Sequence, residues 1–427
     1  MALAIPLFTT PPVWAQAAPL TLSEAARLAR TRSLGVQAGQ ERVSSSQSQQ
    51  GALTSALYPT LNVQSTPAYT QLTPGARPPV PPSGGLAAPT TSGPYVDTSV
   101  SLNQLLFDGG AAGDQVAIAA DQVKINQSAL FQAQQDAMAS AGTSFFQVQL
   151  TEGLAGVAQE AYRQAQDHLR LGQLRLKAGT GTRAEVLQLE AQVANAQVAL
   201  IQAQNGVTQA RLNLGNVLNA PVGDRPLASA SVAPLNVMLE RDVAQSLHRR
   251  PEIQQQELRV ETDRRREAVA NAGNLPSLTA VGRYTERNVD YGSLFAGVTL
   301  NWAAFDEGRN RSLAESAHHD SLADQAVLAQ LQLTADLEIR QQVQARDEAQ
   351  GRMKAAHDGL VAAQEAYRIA LHRFQLGLAT PFELTDVQTT LTQARNNAVQ
   401  ATSDFAIAEI RLARALGIDL AGYLGAS

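Results

Sequence analysis

The chain has 427 residues, with 33 Lys and Arg against 38 Asp and Glu and a formal net charge of −5. That balance excludes a phosphate-reading nucleic-acid binder, which needs a basic face, and the absence of cysteine excludes a disulfide framework, a thiolate metal site and a cysteine-borne lipid anchor. Hydrophobic residues make up 44% of the chain but aromatics only 5%, a composition suited to long, closely packed helices rather than to large globular cores.

The chain opens on an apolar stretch from Met1 to Phe8, a Pro-Pro break and Ala15-Gln16-Ala17, which reads as an export signal over residues 1–17. The signal lacks a positively charged start, so the true beginning is expected upstream. Elsewhere no uninterrupted apolar run reaches about 18 residues, the minimum for a membrane-spanning helix. A chain of this kind spans a membrane only with β-strands.

The sequence is built twice. Pro59 recurs as Pro276, and the same offset carries Leu22 to Leu239 and Val36 to Ile253. Farther on, Leu102, Asn103, Phe107, Asp108 and Gly110 recur as Leu300, Asn301, Phe305, Asp306 and Gly308. The offset changes between Thr70 and Tyr95, where the first half carries an insertion rich in Pro, Gly, Ser and Thr that reads as an exposed loop. The expected organisation is a first repeat over 18–219, a linker over 220–238, a second repeat over 239–417 and a tail over 418–427.

Each repeat reads as helix, strand, loop, strand, very long helix, turn and return helix. Helix formers run from about Ser23 to Leu57 and again from about Arg241 to Asn274, each run ending before a proline. The strands that follow alternate. Leu61, Val63 and Tyr69, then Val96, Val100 and Leu102, stand opposite Asn62, Gln64, Thr66, Asp97, Ser99, Ser101 and Asn103. In the second repeat Leu278, Ala280 and Tyr284, then Leu294, Val298, Leu300 and Trp302, oppose Thr279, Arg283, Thr285, Thr299 and Asn301. Period two with one apolar and one polar face fits a half-buried soluble sheet or a membrane barrel.

Beyond Gly110 no proline occurs until Pro221, and the one turn signal between them is Ala178 to Thr182. Outgoing helices are expected over about 112–176 and 310–375. The return helices carry apolar stripes at steps of three and four: Val186, Leu189, Val193, Ala196, Leu200, Ala203, Val207, Ala210, Leu214 and Val217, then Leu384, Val387, Leu391, Ala394, Ala398, Ala401, Phe405, Ala408, Leu412 and Ala415. Such stripes are coiled-coil seams, with alanines letting axes approach. The fold class is mainly α, with long antiparallel coiled-coil helices in two tandem repeats and four strands per chain. Four strands cannot close a barrel, so several chains must pool theirs.

Three features in this order resemble the TolC family of outer-membrane efflux proteins: the Pro-led strand starts Tyr58-Pro59-Thr60-Leu61 and Leu275-Pro276-Ser277-Leu278, the Phe-Asp-x-Gly junctions, and Gly377-Leu378-Ala379-Thr380 before Glu383. The resemblance covers essentially the whole chain after the signal. It implies a homotrimer with a twelve-stranded transmembrane β-barrel in the outer membrane and a helical tunnel in the periplasm. It implies as partners a periplasmic adaptor (membrane fusion) protein, an inner-membrane pump and outer-membrane lipid. The function it implies is the exit duct of a tripartite efflux or type I secretion system. The alternative is a coiled-coil spacer between envelope layers, which would have no use for four amphipathic strands.

On this resemblance Leu61, Val63, Tyr69, Val96, Val100, Leu102, Leu278, Tyr284, Leu294, Val298, Leu300 and Trp302 face lipid, with Tyr284 and Trp302 either in an aromatic belt or in ordinary sheet packing. Glu185, Glu383 and Asp386 line a periplasmic constriction, although acidic residues also suit helix N-termini for reasons of the dipole alone. Gly179, Thr180, Gly377, Leu378, Ala379 and Thr380 form the adaptor-docking tips, and the first of these turns, Gly179-Thr180-Gly181-Thr182, departs from the family's Gly-Leu-x-Ser/Thr pattern. Leu378 either meets the adaptor or covers its own last helical turn. No catalytic constellation is expected: His318-His319 lacks the i, i+4 spacing of a zinc helix, and Gly179-x-Gly181 lacks the Gly-Lys-Ser/Thr ending of a phosphate loop. No cofactor or metal is expected.

Overall fold

The structure, a computed structural model, describes residues 18–71, 92–288 and 291–425. The expected export signal and most of the inserted loop lie outside the described residues. The elements are α1 (Leu22–Arg32), α2 (Leu34–Ser55), β1 (Thr60–Thr70), β2 (Gly93–Phe107), α3 (Ala111–Lys177) and α4 (Arg183–Leu218), then α5 (Leu239–Arg249), α6 (Pro251–Ala272), β3 (Ser277–Arg287), β4 (Tyr291–Asn301), α7 (Arg309–Gln375) and α8 (Pro381–Ala415), closed by α9 (Leu420–Gly425). The second six repeat the order of the first six. Both α3 and α7 have 67 residues, roughly 100 Å of helix at 1.5 Å per residue. No helix among the described residues is long and apolar enough to cross a membrane.

Each leading helix, expected as one piece, is two. Ser33 breaks the first with ψ 128°, and Arg250 breaks its copy with ψ 123°. In the copy the cause is Pro251, whose ring keeps the preceding residue out of the helical region. In the first repeat the Ser33 amide donates to the Ala29 carbonyl at 3.1 Å, closing α1 before α2 begins.

The chain forms two compact units. Among the described residues one holds those from 18 to Gln37, Gln132–Arg250 and those from Thr334 onward; the other holds those within Ala38–Phe131 and Pro251–Leu333. In the first unit Leu20, Leu22, Met138, Phe145, Leu214, Leu218, Ile410, Leu420 and Leu424 make one core. The segment between the repeats is strapped to it: Leu20 and Leu227 bridge, and Val232 is buried. The wholly buried Glu409 carboxylate accepts the Leu235 amide at 3.1 Å, and burial raises its pKa above the ordinary carboxylate value. Every residue of the two expected stripes on α4 and α8 is buried or half-buried, so the seams lie where period and spacing put them.

The second unit carries a single antiparallel sheet of order β1-β2-β3-β4. Both repeats pass from sheet to long helix through the same device. The Asp108 carboxylate accepts the amides of Gly110 at 3.0 Å and Ala112 at 2.7 Å; Asp306 accepts those of Gly308 at 3.0 Å and Asn310 at 2.9 Å. These bonds satisfy amides that the first turn of a helix leaves without partners. Gly110 and Gly308 take φ of 92° and 82°, the left-handed region that a side chain disfavours, which accounts for the glycine in each Phe-Asp-x-Gly copy.

Removing either cap exposes the start of a 67-residue helix. Asp108→Ala and Asp306→Ala are each expected to cost about 1–2 kcal/mol locally. Hydrogen exchange checks this: amide protection at Gly110 and Ala112, or at Gly308 and Asn310, falls on the order of tenfold, and unchanged protection would refute the capping role.

Candidate functional site

The sheet settles how its side chains divide. Register places Leu61 beside Leu102 and Val63 beside Val100; Val100 lies beside Tyr284 and Tyr284 beside Leu294; Leu278 lies beside Leu300 and Ala280 beside Val298. Tyr69 and Val96 share that face by strand alternation. Eleven of the residues expected to face lipid therefore line one face. Trp302 lies just beyond β4, exposed, with its indole N–H donating to the Asn274 carbonyl at 3.2 Å.

This face is turned outward. Leu61, Val63 and Tyr69 are 66–69% exposed and Leu294 81%. Along β4 the alternation is inverted relative to a soluble sheet: Leu294, Ala296 and Val298 are exposed while Ser293, Phe295 and Gly297 are partly covered. On the polar face Thr285 is buried. A contiguous exposed apolar surface marks a membrane or protein contact, and here it belongs to one side of a sheet. β1 and β4 are its two edges, and Pro67, which has no amide hydrogen to donate, sits on one of them.

The helix reversals are in the first unit. At the end of α3 the amides of Gly179 and Thr180 donate to Leu176 and Arg175 carbonyls at 3.1 and 3.0 Å. At the end of α7 those of Gly377 and Leu378 donate to Phe374 and Arg373 at 3.0 and 2.9 Å. Both are paired-bond helix stops with glycine at φ 78° and 76°. The two return helices start on threonine caps, Thr182 and Thr380, whose hydroxyls accept the amides of Glu185 and Glu383 at 3.3 and 3.2 Å.

The turns differ in what they offer. Around the second, Leu376, Leu378 and Phe382 are each more than 60% exposed. Ala379, expected at the tip surface, is instead buried with Phe374 and Leu384, against Leu171 and Tyr367, so it supports the turn from beneath. Gly179 and Thr180 are exposed but present no apolar side chain. Spacing from Gly377 did not identify Leu376 and Phe382, because as helix-end residues they read as continuing an apolar face.

The three acidic residues also part company. The Glu185 carboxylate accepts the Thr182 amide at 3.2 Å, completing a reciprocal cap on its own helix. Glu383 and Asp386 are exposed, one turn apart, and their carboxylates make no ion pair among the described residues. Behind them a polar network ties the helices together. Gln192 donates to Gln388 at 2.8 Å, Thr385 donates to Gln192 at 3.1 Å, and Gln388 donates to the Ala161 carbonyl at 3.3 Å. His168 lies 3.1 Å from the Tyr367 hydroxyl, and burial lowers its pKa below the ordinary imidazole value. The guanidinium of Arg175 on α3 covers the Phe374 ring at 5.0 Å, joining the two reversals.

Comparison with known proteins agrees with this arrangement. The profile of the outer membrane efflux protein family matches residues 25–220 and 243–418, that is, both repeats. The outer membrane efflux protein BepC of Brucella suis is 23% identical over 340 residues, 76% of this chain and 73% of BepC. The toluene efflux pump outer membrane protein TtgC of Pseudomonas putida is 24% identical over 297 residues, 66% of this chain and 60% of TtgC. Among solved structures, VceC of Vibrio cholerae superposes with a TM-score of 0.79 at 16% identity, covering 93% of this chain and 96% of VceC. The outer-membrane channel OprN gives 0.79 at 19% identity, covering 94% and 90%. The duplicated junctions, the sheet with its apolar side outward and the family match over both repeats together establish that the chain belongs to the outer membrane efflux protein family, whose place is the outer membrane and whose work is to provide the exit duct of efflux systems.

Proposed function

We propose that three copies of this chain pool their sheets into one twelve-stranded barrel and carry cargo from periplasm to exterior, as the outer-membrane part of a tripartite efflux or type I secretion system. The observation that carries this reading is the sheet of four strands with two unpaired edges and an exposed apolar face. In lipid an unpaired edge leaves amides and carbonyls with no water to accept or donate, at a cost of several kcal/mol per group. Joining β4 of one copy to β1 of the next removes every edge at once.

The turn at Gly377 is the main contact for a periplasmic adaptor, which an inner-membrane pump serves. Leu378 stands there with Leu376 and Phe382 as an exposed apolar cluster on a turn fixed by Gly377, Thr380 and the buried Ala379. The turn at Gly179 and Thr180 is a secondary, polar contact. Glu383 and Asp386, gathered by threefold symmetry, form the acidic constriction that favours cations; Glu185 contributes less, since its carboxylate is engaged in its own cap.

Two measurements test these assignments. Sedimentation in detergent under non-denaturing conditions yields a species of three chains, and a monodisperse monomer would contradict the pooled barrel. At the tip, Leu378→Ser and Phe382→Ser each weaken crosslinking to the adaptor in cells by about five- to thirtyfold, the range of an interface hot spot. The thermal stability of the assembly stays unchanged, because both side chains are exposed. Lost stability with adaptor capture intact would make Leu378 a cover for its own helix end.

A further inference from the structure

The polar face of the sheet is nearly free of charge, and its charges do not cancel. Only four charged residues lie in the strands: Asp97, Arg283, Glu286 and Arg287. Alternation puts Glu286 on the apolar face, between Thr98 and Gly292. Asp97 and Arg287 are register partners on the polar face and neutralise each other: the guanidinium donates from both Nε and Nη2 to the two carboxylate oxygens at 2.7 Å, and it also lies 4.7 Å from the centre of the Tyr95 ring. Arg283 has no such partner. Its neighbours across the strands are Ser101 and Phe295, and no carboxylate pairs with it among the described residues.

We infer that Arg283 is a specificity-determining residue of the duct, a cation held in the barrel lumen that favours organic anions with an aromatic or apolar body. The inference rests on the trimeric-barrel reading, in which the polar face lines the lumen and three copies of Arg283 stand at one level. Among the described residues each sheet then contributes one uncompensated positive charge to that face, since Arg287 pairs with Asp97. Phe295, directly opposite Arg283 on the same face, gives an apolar surface beside the cation, so a ligand with an anionic head and a ring finds both. Ser101 on the other side adds a hydroxyl able to donate to the same anion.

The size of the effect follows from screened electrostatics. At about one Debye length, roughly 8 Å, from each of three unit charges in water, a monovalent anion is enriched about two- to threefold and a trivalent one on the order of tenfold. Arginine suits this task better than lysine only for planar, bidentate anions such as carboxylates; for a simple halide the charge alone matters. The two can therefore be separated experimentally.

The test uses the full-length channel in planar bilayers, in the Glu383→Gln, Asp386→Asn background so that the acidic constriction does not dominate. Reversal potentials in a potassium chloride gradient give the chloride-to-potassium permeability ratio, and potassium benzoate repeats the measurement with an aromatic carboxylate. The ratio is expected to fall about two- to threefold for Arg283→Gln and further for Arg283→Glu. Arg283→Lys retains the chloride ratio and loses part of the benzoate preference. Equal ratios in the parent channel, Arg283→Gln and Arg283→Glu would overturn the inference while leaving the channel reading intact. Failure of the parent protein to conduct at all would overturn the channel reading and this inference with it.

Discussion

The constraint on which this structure depends is that a strand in lipid must pass every backbone amide and carbonyl to another strand. One chain supplies four strands and leaves β1 and β4, each 11 residues long, with an open side. Pro67 lowers the number of donors left on one of those sides by one. The rest must find partners, and the exposed Leu61, Val63, Leu294 and Val298 form an apolar surface of the kind that meets a membrane or another protein. On the proposed trimeric reading the sheet is a third of a barrel.

Duplication solved the junction between sheet and helix once and used it twice. Asp108 and Asp306 accept the same pair of amides, and the glycine two residues on has positive φ in both copies. The copies differ at the residue between. A side chain at Gly109 would meet Leu275 at 2.9 Å and Ala272 at 3.2 Å, whereas Glu307 takes φ 55° in its place and the second junction is tied instead by Asn310 donating to the Gly273 carbonyl at 2.8 Å. Identical lengths of α3 and α7 keep junction and reversal equally spaced in the two repeats although few of the intervening residues match.

Features governed by backbone periodicity were legible in the sequence. Alternation over Leu61 to Tyr69 and Leu294 to Leu300 assigned the faces of the sheet, because a strand has no freedom to turn successive side chains the same way. Steps of three and four gave the seams of α4 and α8 for the same reason. Features set by a neighbour were not legible. Ala379 looked like part of a tip until Phe374 and Leu384 closed over it, and Glu185 looked equivalent to Glu383 until its carboxylate bonded Thr182. The break at Arg250 was written in Pro251, yet the break at Ser33 has no comparable signal. The charge balance that isolates Arg283 needed register, since only pairing brings Asp97 to Arg287 and leaves its neighbour alone.

In the proposed barrel the apolar face of this sheet meets lipid and the polar face meets water. The chain has no cysteine, so single cysteines along β4 can carry spin labels without background. With the protein in liposomes, collision with oxygen, which concentrates in lipid, should peak at residues 294, 296, 298 and 300, and collision with a water-soluble nickel complex at 293, 295, 297 and 299. A uniform profile, or one in the opposite phase, would contradict the account.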